Sequence, residues 1–217
     1  MAIPKIVYQT FKTSQLPFVN RWHINKFRKA NPSYKYEFYD DERIENFFSH
    51  SFGNEFVTAY KRLQIGAAKA DFFRYAILYK YGGIYLDVDS AITKRLDDFI
   101  EPADKAVISV EKNPGVYVQW ALVYEAGHPF LQKTLQLILE NIGQNKYPND
   151  VHQMTGPSVY TKAINECLHS NPNIPHRLLG IDYDGNFKFN LPLSKLMYRK
   201  GEHWKELQKT KTVLKPL

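Results

Sequence analysis

Two carboxylates close an apolar run: Ile84-Tyr85-Leu86 leads into Asp87-Val88-Asp89. In extended backbone, side chains two residues apart face the same way, so Asp87 and Asp89 are expected to project together. Hard oxygen donors at one point suit Mg²⁺ or Mn²⁺. Such ions take one or two protein carboxylates and complete their shell with phosphate oxygens. Asp-x-Asp alone is a weak signal, more often a solvated turn than a metal site. A second charged pair stands upstream, where Asp71, Arg74 and Leu78 share a helix face at i, i+3, i+7 spacing. The bland expectation is a surface ion pair worth ~0.3 kcal/mol. The neighbours argue against it. Ala67, Ala68, Ala70, Phe72, Phe73, Ala76, Ile77 and Leu78 make the helix apolar nearly all round. A helix of that kind is buried, and charges on it need a reason.

The elements that would position these residues follow from pattern. Ala67 to Tyr81 has good helix formers and no proline, and Gly82-Gly83 ends it. The glycine pair permits a tight reversal, which sets the helix face beside the end of a strand over Ile84 to Val88. Asp71, Arg74, Asp87 and Asp89 then converge at the carboxyl end of that strand, where open α/β sheets bind ligands. Around this unit strand and helix signals alternate. Strands are expected at Ile3 to Gln9, Tyr34 to Tyr39, Lys105 to Glu111 and Val116 to Tyr124. Helices are expected at Phe18 to Lys29, from the Asp40-Asp41 caps through Phe48, at Phe130 to Gly143 and at Ser158 to His169. The region from Arg177 onward reads as short strands. The pattern predicts an α/β fold with a single, mainly parallel sheet whose later strands mix direction, flanked by helices. Residues 1–208 read as one domain and residues 209–217 as a tail or linker.

Composition agrees with an ordinary globular core: 44% of the 217 residues are hydrophobic and 15% aromatic. The lone cysteine, Cys167, excludes an internal disulfide framework and a cysteine-based zinc site. No apolar run reaches the ~20 residues of a membrane span, and the N-terminus lacks a signal-peptide pattern. A soluble, cytoplasmic protein is expected. The net charge of +7 favours phosphate-bearing ligands or anionic surfaces, or reflects simple solubility. The lysines and arginines look scattered, with no dense basic tract, so nucleic acid is not an expected partner.

The combined run Asp71-x-x-Arg74, Leu78-Tyr79-x-x-Gly82-Gly83-Ile84-Tyr85-x-Asp87-x-Asp89 resembles the sugar-transferase family marked by an Asp-x-Asp motif. That family includes the fungal initiating mannosyltransferases, and large clostridial glucosylating toxins share its signature. Ile3 to Phe11 is similar to the family's first strand. Gly127-His128-Pro129-Phe130 and Thr155-Gly156-Pro157 are similar to two downstream landmarks. The resemblance implies a GT-A fold, a nucleotide-diphosphate sugar donor (UDP-sugar first, GDP-sugar second), a glycan or other hydroxyl acceptor, Mn²⁺ or Mg²⁺, and retention of anomeric configuration. It implies that Asp89 ligates the metal, and that Asp87 contacts the donor ribose and reaches the metal. Asp71 would bond ribose or sugar hydroxyls, Arg74 would meet the sugar or diphosphate, and Tyr85 would line the nucleotide pocket. Phe11 stands where relatives carry a base-stacking tryptophan, with Gln9 and Thr10 near the base edge. Gln119 replaces an asparagine. Lys200-Gly201-Glu202-His203-Trp204 is a loose counterpart of a C-terminal metal-side element, which makes His203 a candidate third ligand.

Two other readings compete. Leu86-Asp87-Val88-Asp89-Ser90 is similar to the nucleophile motif of haloacid-dehalogenase-type phosphohydrolases, but that motif belongs on a first strand and here follows some 80 residues of strand and helix. A carbohydrate- or nucleotide-binding module without turnover is the non-enzymatic reading. The intact Asp71, Arg74, Asp87 and Asp89 speak against it.

Overall fold

The computed structural model describes residues 2–189 and 204–216. In chain order the elements are β1 (Ile6–Thr10), α1 (Phe18–Ala30), β2 (Lys35–Tyr39), α2 (Asp41–Ser51), α3 (Asn54–Arg62), α4 (Gly66–Tyr81), β3 (Gly83–Leu86), β4 (Ala91–Ile92), β5 (Ala106–Ser109), β6 (Ala121–Tyr124), α5 (Pro129–Gln144), α6 (Val151–Met154), α7 (Pro157–Ser170), β7 (Arg177–Leu179), β8 (Phe187–Lys188) and α8 (Trp204–Leu207). Six strands form one sheet in the order β2-β1-β3-β6-β5-β7, and β4 pairs with β8 apart from it. β1 runs parallel to β2 and β3, and β5 runs parallel to β7. β6 is antiparallel to both its neighbours. The sheet is thus mainly parallel with one reversed strand, as the pattern predicts.

Alternation along the strands feeds two cores. Tyr8, Tyr85, Leu122 and Tyr124 pack with the α2 to α7 side, while Val7, Ile84, Leu86 and Val123 pack with Ile24 and Phe27 of α1. This period-2 division is what a sheet covered on both faces requires. α4 is the central helix, with nine buried residues that include Asp71 and Arg74.

The α4–β3 junction depends on two glycines. Gly82 and Gly83 sit at φ +64 and +108, in the region that favours glycine. A Cβ on Gly82 would lie 2.7 Å from the backbone nitrogen of Ala126, and one on Gly83 2.8 Å from the carbonyl oxygen of Ile6. We expect Gly83→Ala to cost about 2–5 kcal/mol, from backbone strain plus overpacking. Urea denaturation measures it, and a loss within error of zero would show that the junction tolerates a side chain.

Three expectations need correction. The segment read as a tail is docked: Val213 and Leu214 are buried, Leu214 bridges to Leu63, and Gln64 donates to the Val213 carbonyl at 3.0 Å. Two apolar residues among lysines find a groove beside the end of α3. The strand expected over Val116 to Tyr124 is regular only from Ala121; before it, Tyr117 makes an isolated antiparallel bridge with Val110. α3 was not anticipated. Gly53, the residue before it, provides no side-chain cap, and the helix's buried positions are Ala59 and Tyr60, too short an apolar stripe to stand out. No helix among the described residues is long and apolar enough to cross a membrane.

Candidate active site

The Asp-x-Asp motif does not continue the strand. β3 ends at Leu86, and the Ser90 amide donates to the Asp87 carbonyl at 2.9 Å, closing a tight turn. The two carboxylates therefore share a side through turn geometry and not through strand alternation. Val88, between them, is buried in the α1-side core. The turn is pinned from three directions. The Asp87 amide donates to the Trp120 carbonyl at 2.8 Å, Gln9 Nε2 to the Asp87 carbonyl at 3.2 Å, and Asn20 Nδ2 to the Val88 carbonyl at 2.9 Å. Asp87 and Asp89 are half-buried and line a cavity of about 1160 Å³, of a size that suits a nucleotide-sized ligand.

Behind the carboxylates lies a buried polar network. Asp71 and Arg74 are each 3% exposed, which rules out the surface pair. Arg74 Nη2 donates to Asp87 Oδ1 at 2.8 Å and lies 3.4 Å from Asp71 Oδ1. Arg74 Nη1 donates to the Gln119 carbonyl at 2.9 Å and to Gln119 Oε1. The guanidinium also lies over the Tyr85 ring at 4.7 Å. Tyr85 donates its hydroxyl to Asp87 Oδ1 at 2.9 Å, and Tyr75 donates to Gln119 Oε1 at 3.0 Å. Thr155 Oγ1 donates to Asp71 Oδ2 at 3.0 Å. Thr155 and Tyr75 were missed as site residues. Thr155 had a signal, since it opens the Thr155-Gly156-Pro157 landmark. Tyr75 had none beyond an apolar helix.

The charges are unequal. Burial pushes the Asp87 carboxyl up to about 7, against the pull of Arg74, and the nearby Asp89 charge adds to the rise. Burial likewise raises Asp71, opposed by Arg74 and the Thr155 hydrogen bond. Arg74 moves the other way from what burial alone would do: the charge of Asp87 holds it firmly protonated. So the ion pair is real for Arg74, while for Asp87 desolvation outweighs it.

This arrangement fits a hard divalent cation. Two carboxylates repel each other at a turn, and both hydrogen bonds received by the Asp87 side chain fall on Oδ1. A cation would favour the charged form that burial disfavours. Among the described residues no group of three or more His, Cys, Asp or Glu is placed to enclose a metal. The donor set therefore suits an ion that draws its remaining ligands from phosphate. Asp87 and Asp89 would hold it. His203 lies outside the described residues.

The other expected contacts divide. Phe11 lines the cavity and packs partly into the α1-side core. Thr10 also lines it, but its hydroxyl donates to the Tyr39 carbonyl at 2.7 Å. Gln9 is 1% exposed and is held between Tyr36 and Asp87, so it braces the turn and does not face a base. Trp204 lines the cavity and meets the His152 ring at 5.0 Å between centroids. His128 caps α5 by accepting from the Phe130 amide, a structural role.

The chain is similar to known glycosyltransferases. Residues 17–106 match the model of the glycosyltransferase sugar-binding region containing the DXD motif. An uncharacterized glycosyltransferase, L373, of Acanthamoeba polyphaga mimivirus is 32% identical over 83% of this chain and 72% of its own length. The initiation-specific alpha-1,6-mannosyltransferase of Schizosaccharomyces pombe is 28% identical over 77% of this chain and 49% of its own. The chain spans about half the length of the fungal initiation-specific mannosyltransferases it matches. In fold it is similar to the PaToxG glycosyltransferase, at TM-score 0.65 and 20% identity over 79% of this chain and 71% of that one. The phosphohydrolase reading fails on the same ground as its strand position: Asp87 sits after the third strand, with Arg74 and Tyr85 on its Oδ1. Motif, fold and relatives coincide on the α4–β3 unit, and the chain belongs to the glycosyltransferase family that carries the DXD motif.

Proposed function

We propose that this domain transfers a hexose from a nucleotide-diphosphate sugar to a hydroxyl acceptor, with retention and with Mn²⁺ or Mg²⁺ held by Asp89 and Asp87. The observation that carries this reading is the convergence of the α4 pair, Asp71 and Arg74, with the Asp-x-Asp turn beside one large cavity. The acceptor oxygen bonds to the anomeric carbon, the bond from that carbon to the diphosphate breaks, and the hydroxyl proton passes to the departing phosphate oxygen. When bound, the cation neutralises charge on the leaving diphosphate. Arg74 keeps Asp87 and Asp71 oriented; Asp71, on the cavity wall, would meet ribose or sugar hydroxyls, and Phe11 would offer a wall for the base. Lys69 and Lys188 on the same cavity favour a dianionic ligand. The donor nucleoside is uridine in the first instance, with guanosine as the other choice. The fungal relatives are named for mannosyl transfer, so mannose is the first sugar to try.

The test is a thermal-shift panel of UDP, GDP, ADP and CDP, each with Mn²⁺, with Mg²⁺ or with chelator. At a ligand concentration near a hundred times the Kd, binding adds ~2.7 kcal/mol. For a protein of this size that is a rise of about 5–10 °C. One diphosphate should stand out, and only with metal. A flat panel, or equal shifts with chelator, would refute the donor site as drawn.

A further inference from the structure

The net charge of +7 is not spread over the chain. Residues 1–36 contain seven lysines and arginines and no aspartate or glutamate, so the remaining residues are electrically balanced. The apparent scatter of basic residues hides a basic segment over residues 1–36. Lys5 and Lys35 are paired, with Asp97 and Glu37. Four of the others lie on α1, which has no acidic residue. Arg21, Lys26, Arg28 and Lys29 are exposed, and none has an ion-pair partner among the described residues. The same face carries the two most exposed large hydrophobic side chains of the described residues to share a helix, Phe18 at 72% and Trp22 at 50%. The helical period explains the layout. Asn20, Ile24 and Phe27 face the core. Phe18, Trp22 and Lys29 run along the centre of the opposite face, with Arg21 and Arg28 on one flank and Lys26 on the other.

We propose that the outer face of α1 docks on the surface of an anionic phospholipid bilayer. Two aromatic side chains one turn apart, ringed by cations, have the composition of an interfacial helix: the rings enter the headgroup boundary and the cations meet lipid phosphate. A solvated face needs neither aromatic. The helix is a rigid part of the domain, seated by Ile24 and Phe27, so it binds without an ordering cost. Asn20 ties its first turn to the Val88 carbonyl between Asp87 and Asp89, so docking brings the Asp-x-Asp turn near the lipid surface. The surface lies outside the cavity: none of the six side chains lines it. The proposal therefore stands or falls apart from the donor-site reading.

The experiment is co-sedimentation of the whole chain with phosphatidylcholine vesicles, with and without phosphatidylserine. Binding is expected only to the anionic vesicles, weakening as salt rises. Arg21→Gln, Lys26→Gln and Lys29→Gln together should weaken it on the order of a hundredfold, since each cation near the surface contributes about one fivefold step. Phe18→Ser with Trp22→Ser should weaken it about tenfold. Both variants should keep the wild-type melting temperature and nucleoside-diphosphate shift. Equal sedimentation with neutral and anionic vesicles overturns the proposal, as does unchanged binding in the charge variant. Displacement of the protein from vesicles by a single-stranded oligonucleotide at equal charge concentration also overturns it, and assigns the face to nucleic acid.

Discussion

Asp89→Asn is expected to abolish metal-dependent nucleotide binding and leave the protein folded. Asp89 is half-buried at the turn, and losing its charge removes a donor to the cation itself. The effect should exceed the ~10–100-fold that an outer-sphere partner costs. Asp87→Asn separates binding from stability further. Its carboxyl is raised from 3.8 to about 7, first by burial, so the folded state holds this proton more tightly than the unfolded chain. The contribution to stability is complete below pH ~4 and is lost as pH rises through ~7. Asparagine keeps an oxygen for Arg74 and Tyr85 and has no charge to bury, and Asp71 remains to balance Arg74. The metal-free variant should therefore melt no lower than wild type at pH 8, and the decline between pH 4 and 7 should flatten. Added Mn²⁺ with nucleoside diphosphate should stabilise wild type alone. A variant that melts far below wild type at every pH yet keeps its Mn²⁺-dependent shift would place Asp87 in the scaffold only.

The helix-turn-strand unit was legible because each of its signals is local. α4 has helix formers without interruption, the glycine pair marks the junction, and the apolar run after it has strand composition. Chemistry was legible at the same place, because burying Asp71 and Arg74 on an apolar helix contradicts propensity, and such contradictions concentrate at functional sites. The turn at Asp87 was not legible. Extended alternation was carried two residues too far, since the groups that bend the chain come from Gln9 and Asn20, 78 and 68 residues away. The same distance hid Thr155, whose bond to Asp71 spans 84 residues.

Gln9 shows the converse error. The family resemblance put it near the base edge, but the parallel register sets β1 against β2 and β3, and the amide turns inward to Tyr36 and the Asp87 carbonyl. A polar residue next to the last position of a strand reads alike whether it faces a ligand or a neighbouring loop. The distribution of charge carried more information than its sum. Counting +7 suggested phosphate-bearing ligands, anionic surfaces or plain solubility, whereas its confinement to residues 1–36 gains meaning only when α1 is seen to expose four of those cations together.

Arg74→Ala should cost about 3–5 kcal/mol of stability, because removing one partner from a buried pair leaves the others uncompensated. Asp71 would be left in the core with Thr155 and Gln119, and Asp87 with Tyr85. The surface-pair alternative predicts a few tenths of a kcal/mol, so denaturation alone separates the two. Activity then tells how the arginine acts. At 3% exposure, with both Nη atoms engaged by Gln119 and Asp87, it acts through the carboxylate. The expected signature is Mn²⁺ affinity reduced ~10–100-fold, with turnover at saturating Mn²⁺ largely kept. Direct contact with the leaving diphosphate predicts the reverse: turnover lower by ~10²–10³-fold and metal affinity intact. Arg74→Lys sharpens the comparison. A lysine keeps the charge that balances Asp71 and Asp87, so most of the stability should return. It lacks the planar fork that reaches Gln119 and Asp87 at once, so Mn²⁺ affinity should recover only in part. Wild-type stability and wild-type Mn²⁺ affinity in Arg74→Ala would detach α4 from the site and leave the Asp-x-Asp turn without its support.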